Sequence, residues 1–154
     1  MALQAVNKSG FTLVELLLTI ALMAILGVGA ASVSVTYLMS VNINTTVSNV
    51  ETAIETARGY TLDHYKGNAN YGIVVFPSKL LVYAGTSYTG ANTIFYTVSV
   101  PVGIQFTAIN FNNANYYYYA SISALPSNSG GFKINSPFLI KTIQVNTLGI
   151  VNAL

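Results

Sequence analysis

An unbroken apolar run near the N-terminus constrains this chain more than any other feature. From Phe11 to Ala31 the sequence reads FTLVELLLTIALMAILGVGAA, with Glu15 as its one charged member. As an α-helix the run would extend roughly 31 Å at about 1.5 Å per residue, the thickness of a bilayer core. A secretory signal peptide is the competing interpretation, but its apolar core would be only about 7–15 residues long. We therefore expect a membrane-spanning helix, and Lys8 in the leader MALQAVNKSG favours a cytoplasmic leader with the remainder outside.

The composition excludes several classes of protein. The 154 residues suffice for one domain and an appendage, and they are 53% hydrophobic and 6% charged, against roughly 25% charged in an ordinary soluble domain. This argues against a cytosolic enzyme, and a net charge of +2 argues against a dedicated nucleic-acid binder. Because the chain has no Cys, it has no disulfide framework, thiolate zinc site or cysteine nucleophile.

Glu15 stands out because it interrupts the apolar run near its beginning. A carboxylate buried in lipid costs about 2.5–3.5 kcal/mol on insertion scales, so such an acid predicts a function and needs a partner. No basic residue lies nearby once Lys8 is set aside, which points to a cation on another molecule or to an amine created by cleavage. The alternative is that Glu15 reaches the membrane interface at the helix N-terminus, where the helix dipole favours an anion.

Gly10 followed by FTLVELLL resembles the class III leader of type IV pilins and type II secretion pseudopilins. In that family a prepilin peptidase cuts after the glycine and methylates the new N-terminal residue. The glutamate at the fifth mature position is held to pair with the N-terminal amine of a neighbouring subunit during filament assembly. The resemblance implies that Gly10 and Phe11 form the processing site and that Glu15 is the assembly residue.

The same resemblance implies partners and a location. The partners are the prepilin peptidase, other pilin or pseudopilin subunits met through their N-terminal helices, an inner-membrane assembly platform and membrane lipid. The location is the bacterial inner (cytoplasmic) membrane, crossed once with the head outside the cytoplasm, and then the pilus or pseudopilus filament. Cleavage would leave 154 − 10 = 144 residues and an α-amine that Glu15 of an adjacent subunit would neutralise in a low-dielectric bundle.

The helix is predicted to continue beyond the apolar run, because no proline occurs before Pro77. Apolar residues then recur at spacings of four, three, four and three, which predicts one buried stripe: Ile43, Val47, Val50, Ile54 and Ala57. Lys66 and Gly67 predict the helix end. The Ser/Thr/Asn-rich stretch from Ser32 to Thr46 is poor helix material and favours bending or local melting.

After Gly67 short β-rich runs alternate with turn residues. The predicted strands are 71–76, 80–83, 94–100, 104–110, 116–122, 138–145 and a short 149–152. The predicted class is α+β, a long helix packed by its second half on an antiparallel head of one sheet or two small sheets, as in the pilin fold. The predicted segments are a leader (1–10), a transmembrane or filament-core helix (11–35), an amphipathic helix half (36–66) and a β-rich head (67–154).

Within the family, the head is most similar to the H-type minor pseudopilins (the GspH/FimT group). The similarity rests on a first hairpin, YGIVVFPSKLLVYAG, a strand–Pro–Gly–strand unit, SVPVGIQF, and a closing hairpin, TIQVNTLGIV. Major pilins often close a C-terminal loop with a disulfide, so the lack of Cys also favours a minor subunit. A major pilin is the alternative, and the segment YYYYASISALPSNSGGF departs from the H-type pattern.

A filament-presented binding module for DNA uptake or adhesion is the rival function. The eleven tyrosines, four of them at 116–119, are residues on which single-stranded nucleic acid stacks, and Lys133 and Lys141 are the candidate DNA contacts. Scattered basic residues and strand alternation favour a packing role for the tyrosines instead. His64 is interpreted as a solvated helix-end residue. No phosphate-loop, nucleophile-elbow or metalloprotease motif occurs, so no catalytic, cofactor or metal site is predicted.

Overall fold

A computed structural model describes residues 11–67 and 70–154, without the side chains of residues 28–33. The chain divides into two compact units, Met1–Tyr37 and Leu38–Leu154. One helix, α1, runs from Leu13 to Leu62 and so contributes to both. Every strand belongs to the second unit, and the fold is α+β as predicted.

The helix α1 ends at Leu62, four residues before the predicted end at Lys66. His64 and Lys66 have left-handed backbones with φ of 46° and 50°, which an α-helix cannot contain, and Tyr65–Gly67 forms only a 3₁₀ turn. The end is fixed by Thr61, whose buried hydroxyl donates to the Ala57 carbonyl (2.9 Å) and accepts the Tyr71 N–H (3.1 Å). This bond ties the last turn of α1 to the first strand.

The stretch from Ser32 to Thr46 is helical throughout, so the predicted local melting there is wrong, whereas bending stays a prediction. Thr46 shows why its polar side chains are compatible with helix, because its hydroxyl donates to the Asn42 carbonyl at 2.8 Å. A hydroxyl that bonds back one turn satisfies itself without breaking the backbone hydrogen bonds.

Within the described residues, eight strands form two antiparallel sheets, which decides between the predicted alternatives of one sheet and two. The first sheet has the order β3-β2-β1-β5 and the second the order β4-β6-β7-β8. The strand bounds are β1 Tyr71–Phe76, β2 Lys79–Ala84, β3 Ile94–Ser99, β4 Gln105–Asn110, β5 Tyr116–Tyr119, β6 Gly130–Asn135, β7 Ile140–Val145 and β8 Val151–Ala153.

The predicted first and closing hairpins form, as β1–β2 and β7–β8. The SVPVGIQF segment connects β3 to β4, which lie in different sheets. Strand β6 was not predicted, because Gly130 and Gly131 at its beginning are typical turn residues. Both glycines are needed within the strand, since an added Cβ would collide with the carbonyl oxygens of Asn110 on β4 and Ile143 on β7.

One face of α1 shares a single core with both sheets. The predicted stripe lies in this core, with Val47 half-buried and its other members at most 1% exposed. Burying each such aliphatic side chain stabilises the fold by roughly 1.5–3 kcal/mol relative to exposure. The core also contains one or more residues from every strand but β8, among them Ile73, Val82, Val98, Phe106, Tyr117, Phe132 and Ile143.

Four aromatic rings pack together where the end of α1 meets the first sheet. Tyr60 and Tyr65 stack with ring centroids 4.4 Å apart, and Tyr71 and Phe95 meet Tyr60 edge-on at 5.4 and 6.2 Å. The Lys66 ammonium lies 5.4 Å from the centroids of both Tyr65 and Phe95. This cluster joins α1, the 3₁₀ turn, β1 and β3.

Strand β5 alternates as predicted, with Tyr117 and Tyr119 buried and Tyr116 and Tyr118 half-exposed. The hydroxyls of Tyr83, Tyr117 and Tyr119 are buried, and those of Tyr117 and Tyr119 interact with each other. Burial, as the largest cause, raises the pKa of all three phenols above the ordinary value of 10.0. These tyrosines therefore stay neutral in the folded protein over the whole physiological range.

The raised pKa values predict alkaline destabilisation. Because the folded chain holds three protons that the unfolded chain releases near pH 10, the contribution of these phenols to the free energy of unfolding should be constant below pH 10 and fall above it, by about 1.4 kcal/mol per pH unit for each phenol. Chemical denaturation between pH 8 and pH 12 would measure this. Tyr117→Phe should remove one phenol's share of the slope, and a stability unchanged up to pH 12 would contradict the prediction.

Gly72 provides a second test, because a Cβ there would collide with the ring of Tyr83 and lie 2.8 Å from the Tyr117 carbonyl oxygen. Gly72→Ala should lower the free energy of unfolding by about 1–3 kcal/mol. Gly59 is the matched control, since nothing lies within 4 Å of its added Cβ in the helix, and Gly59→Ala should stabilise by about 0.5–1 kcal/mol. Equal effects of the two changes in a denaturant titration would refute this packing.

Candidate functional site: the N-terminal segment of α1

The helix α1 begins with a reciprocal pair of hydrogen-bonded residues. Thr12 precedes the helix, and its hydroxyl oxygen accepts the Glu15 N–H at 3.3 Å. The Glu15 carboxylate reaches back and accepts the Thr12 N–H at 3.3 Å and the Thr12 hydroxyl at 3.2 Å. This is a capping box, in which two otherwise unsatisfied N–H groups of the first turn are satisfied.

Glu15 therefore lies in the first turn of the helix, where the helix dipole favours an anion. Its side chain is exposed, and the sequence contains no Lys, Arg or His between residues 11 and 57. Within residues 11–57 the Glu15 carboxylate is therefore stabilised by its hydrogen bonds to Thr12 and by the helix dipole, and not by a basic side chain. A charge partner for this carboxylate has to come from outside residues 11–57.

The role of Thr12 was not predicted, although its signal is present in the sequence. Thr-Leu-Val-Glu at 12–15, directly before an apolar run, fits the Ser/Thr-x-x-Glu pattern of a capping box. The resemblance to prepilin leaders assigns an assembly role to Glu15 and none to Thr12. The structure adds the residue that positions it.

The helix surface after this cap is apolar and uncovered within its own unit. Phe11 is 81% exposed, and the large apolar side chains from Leu13 to Leu26 are between 52% and 76% exposed. A contiguous apolar surface of this kind marks an interaction site with protein or lipid. No helix within residues 11–67 or 70–154 is long and apolar enough to span a membrane. The side chains of residues 28–33, part of the predicted spanning segment 11–35, lie outside the description.

Of the two residues predicted to form the processing site, the structure describes Phe11 but not Gly10. Gly10, the predicted last leader residue, lies outside the described residues. Phe11, the predicted mature N-terminus, precedes the helix and has its side chain directed to solvent. Glu15, the predicted assembly residue, follows it in the first turn of α1.

Residues 6–31 match a family model, the prokaryotic N-terminal methylation motif. The matched segment contains Gly10, Phe11 and Glu15, and it supports the resemblance to type IV pilin-like prepilins. The comparisons with curated proteins and with solved structures gave no match to the chain. The likeness of the head to H-type minor pseudopilins stays a prediction.

The candidate DNA contacts lie on neighbouring strands but on opposite faces of the second sheet. Lys133 of β6 is exposed and pairs with Thr142, whereas Lys141 of β7 pairs with the wholly buried Ile134. Side chains of directly paired residues share a face, and successive residues of a strand alternate. The structure therefore does not join the two lysines into one basic patch.

The remaining polar candidates do not converge. Asp63 and His64 follow α1 in an exposed turn, as predicted for a helix-end histidine. Within residues 11–67 and 70–154, no group of three or more His, Cys, Asp or Glu side chains could hold a metal ion.

Proposed function

We propose that this chain is a prepilin-type filament subunit. Prepilin peptidase cuts after Gly10 and methylates Phe11, and the processed chain enters a type IV pilus or a type II secretion pseudopilus through its N-terminal helix. The observation that carries this proposal is the match of residues 6–31 to the N-terminal methylation motif, together with a helix that begins at Leu13, three residues after Gly10.

The exposed apolar surface of the first unit supports assembly through the helix. Before assembly this surface requires lipid, and in a filament it is covered by the same surface of neighbouring subunits, because the helix is apolar on all sides. The proposed location is accordingly the inner membrane, with the head outside the cytoplasm, followed by the filament. The proposal assigns the chain no catalytic reaction.

We further propose a minor rather than a major subunit, of the H-type. The two hairpins on which that likeness rests are formed by β1–β2 and β7–β8. The chain has no Cys with which to close a C-terminal loop. The inner-membrane assembly platform and the other subunits are the proposed partners.

Glu15 is proposed to neutralise the N-terminal amine of a neighbouring subunit. Its hydrogen bonds to Thr12 hold the carboxylate at the first turn, exposed and free of any charge partner on residues 11–57. Two unlike charges at a few ångströms attract strongly where water is excluded, and removal of one leaves the other uncompensated.

Processing predicts a defined N-terminus. The intact mass and N-terminal peptide of the protein from native membranes and from sheared filaments should show 144 residues, the 154 of the chain less the ten of the leader, with one added methyl group on Phe11. Gly10→Val is the control that should retain the leader. A wild-type chain that starts at Met1, in cells where another prepilin is processed, would refute the proposal.

Two substitutions at Glu15 distinguish the effect of its negative charge from the effect of its capping hydrogen bonds. Glu15→Gln keeps a side chain that can complete the capping box but removes the charge, whereas Glu15→Leu removes both. If the charge drives assembly, both variants should be processed normally and should enter filaments at least about tenfold less than wild type, which corresponds to about 1.4 kcal/mol. Immunoblots of sheared filaments and membranes measure the ratio. Wild-type assembly of Glu15→Gln with failure of Glu15→Leu would assign the role to the cap instead.

A further inference from the structure

Three connections of the second unit lie at one end of its two sheets, namely the β1–β2 turn at 77–78, the β3–β4 connection at 100–104 and the β6–β7 turn at 136–139. The Pro77 carbonyl accepts the Phe106 N–H at 2.9 Å, which places the β1–β2 turn beside the start of β4. Strand β4 in turn pairs Gln105 with Asn135, the last residue of β6, so the β6–β7 turn lies beside the same end. This end is called the base of the second unit.

The helix α1 enters the second unit at this base. Met39 lies against the β3–β4 connection, since a Cβ added to Gly103 would be 3.3 Å from the Met39 Cε. Leu38 is the first residue of the unit and follows the predicted membrane segment 11–35 by three residues, about 5 Å along a helix. The chain itself therefore keeps the base within reach of a bilayer that contains segment 11–35.

Four large apolar side chains are exposed at the base. Val102, in the β3–β4 connection, is 97% exposed, and Phe138, in the β6–β7 turn, is 58% exposed. Leu38, next to Met39 in α1, and Ile140, which begins β7 directly after the turn, are 59% and 56% exposed. Single exposed apolar residues are normal, whereas several at one end of a unit indicate an interaction surface.

Among the described residues, the charged side chains at the base are all basic. Lys79 begins β2 directly after the β1–β2 turn and is exposed, and Lys141 is the second residue of β7. The acidic side chains of the second unit lie at the other end. Glu51 and Glu55 line a cavity with the β7–β8 turn, at the far end of β7, and Asp63 follows α1 near the start of β1.

We propose that the base docks on a bilayer that contains anionic lipid. The side chains of Val102 and Phe138 insert at the boundary of headgroups and acyl chains, and Lys79 contacts the headgroup phosphates. Lipid fits this surface better than a folded partner does, because apolar side chains on separate connections need no complementary packed surface. The docking rests on the proposed membrane insertion of the N-terminal segment, and it adds a lipid contact made by the head before assembly.

Tryptophan fluorescence measures this docking, because the chain has no Trp and a single introduced one reports only its own surroundings. The full chain is reconstituted in vesicles of equal parts phosphatidylcholine and phosphatidylglycerol. Val102→Trp should emit at a shorter wavelength than tryptophan in water. Lipid brominated along its acyl chains should quench at least about half of this emission, because the side chain reaches the boundary of headgroups and acyl chains.

Ile122→Trp is the matched control for Val102→Trp. Ile122 is 98% exposed, but it follows β5 at the opposite end of the first sheet, where Tyr119 pairs with Tyr71, the first residue of β1. Its tryptophan should emit as in water and should not be quenched. Equal quenching of the two variants would overturn the proposal.

Leu22→Trp in the same vesicles separates this docking from the proposed function, because it reports insertion of the N-terminal segment. Quenching of Leu22→Trp without quenching of Val102→Trp would overturn the docking and leave the filament-subunit proposal standing. A Val102→Trp emission that is shifted but not quenched would show that protein covers the base, and it would overturn the docking too. No quenching of either variant would contradict membrane insertion and docking alike.

Lys79→Gln, introduced together with Val102→Trp, tests the contribution of lipid charge. It should lower the ratio of docked to undocked heads about fivefold, because a lysine near an anionic surface strengthens binding by about that factor. Lys66→Gln is the matched control and should leave the ratio unchanged, since Lys66 also lies over an aromatic ring but follows α1 at the opposite end of the unit. An unchanged ratio in Lys79→Gln, or equal docking on phosphatidylcholine alone, would overturn the assignment to anionic lipid.

Discussion

The burial of one stripe of α1 is the interaction on which the second unit depends. The core to which both sheets contribute contains four buried residues of this stripe, Ile43, Val50, Ile54 and Ala57. The two sheets have separate strand orders, and the helix packs against both of them. Neither sheet alone could bury its inner face. The same stripe places Arg58 beside β5 and places Thr61 where its hydroxyl binds the first strand.

The two units differ in whether their large apolar side chains are buried within the unit. The second unit buries its aromatic and aliphatic residues internally, including four tyrosines that are wholly inside. The first unit leaves the large side chains from Leu13 to Leu26 exposed, and Glu15, in the first turn beside Thr12, is the one charged residue between positions 11 and 37. An exposed apolar surface of this kind is typical of a site that contacts protein or lipid, and the filament assembly proposed above would cover it.

The sequence predicted those features that rest on local pattern. The period of the α1 stripe and the β1–β2 hairpin were predictable because burial there follows the helix and strand periods. Gly130 was misjudged because its role depends on how closely another strand approaches, and the end of α1 was misplaced because Thr61 is fixed by Tyr71, ten residues away. The base of the second unit was not predictable at all, since it joins Met39 and Gly103, which are 64 positions apart, through tertiary packing.

The distribution of tyrosines means that near-ultraviolet circular dichroism can report on one of the two units. The chain has eleven tyrosines and no tryptophan, and all the tyrosines except Tyr37 belong to the second unit. Near-ultraviolet circular dichroism arises from rings held in asymmetric packing, as in the stacked pair of Tyr60 and Tyr65 and the edge-on pair of Tyr117 and Tyr119. Tyr37, the one tyrosine of the first unit, is exposed, so the near-ultraviolet signal comes mainly from the second unit. The tertiary order of that unit can therefore be followed spectroscopically in detergent or lipid without an added chromophore.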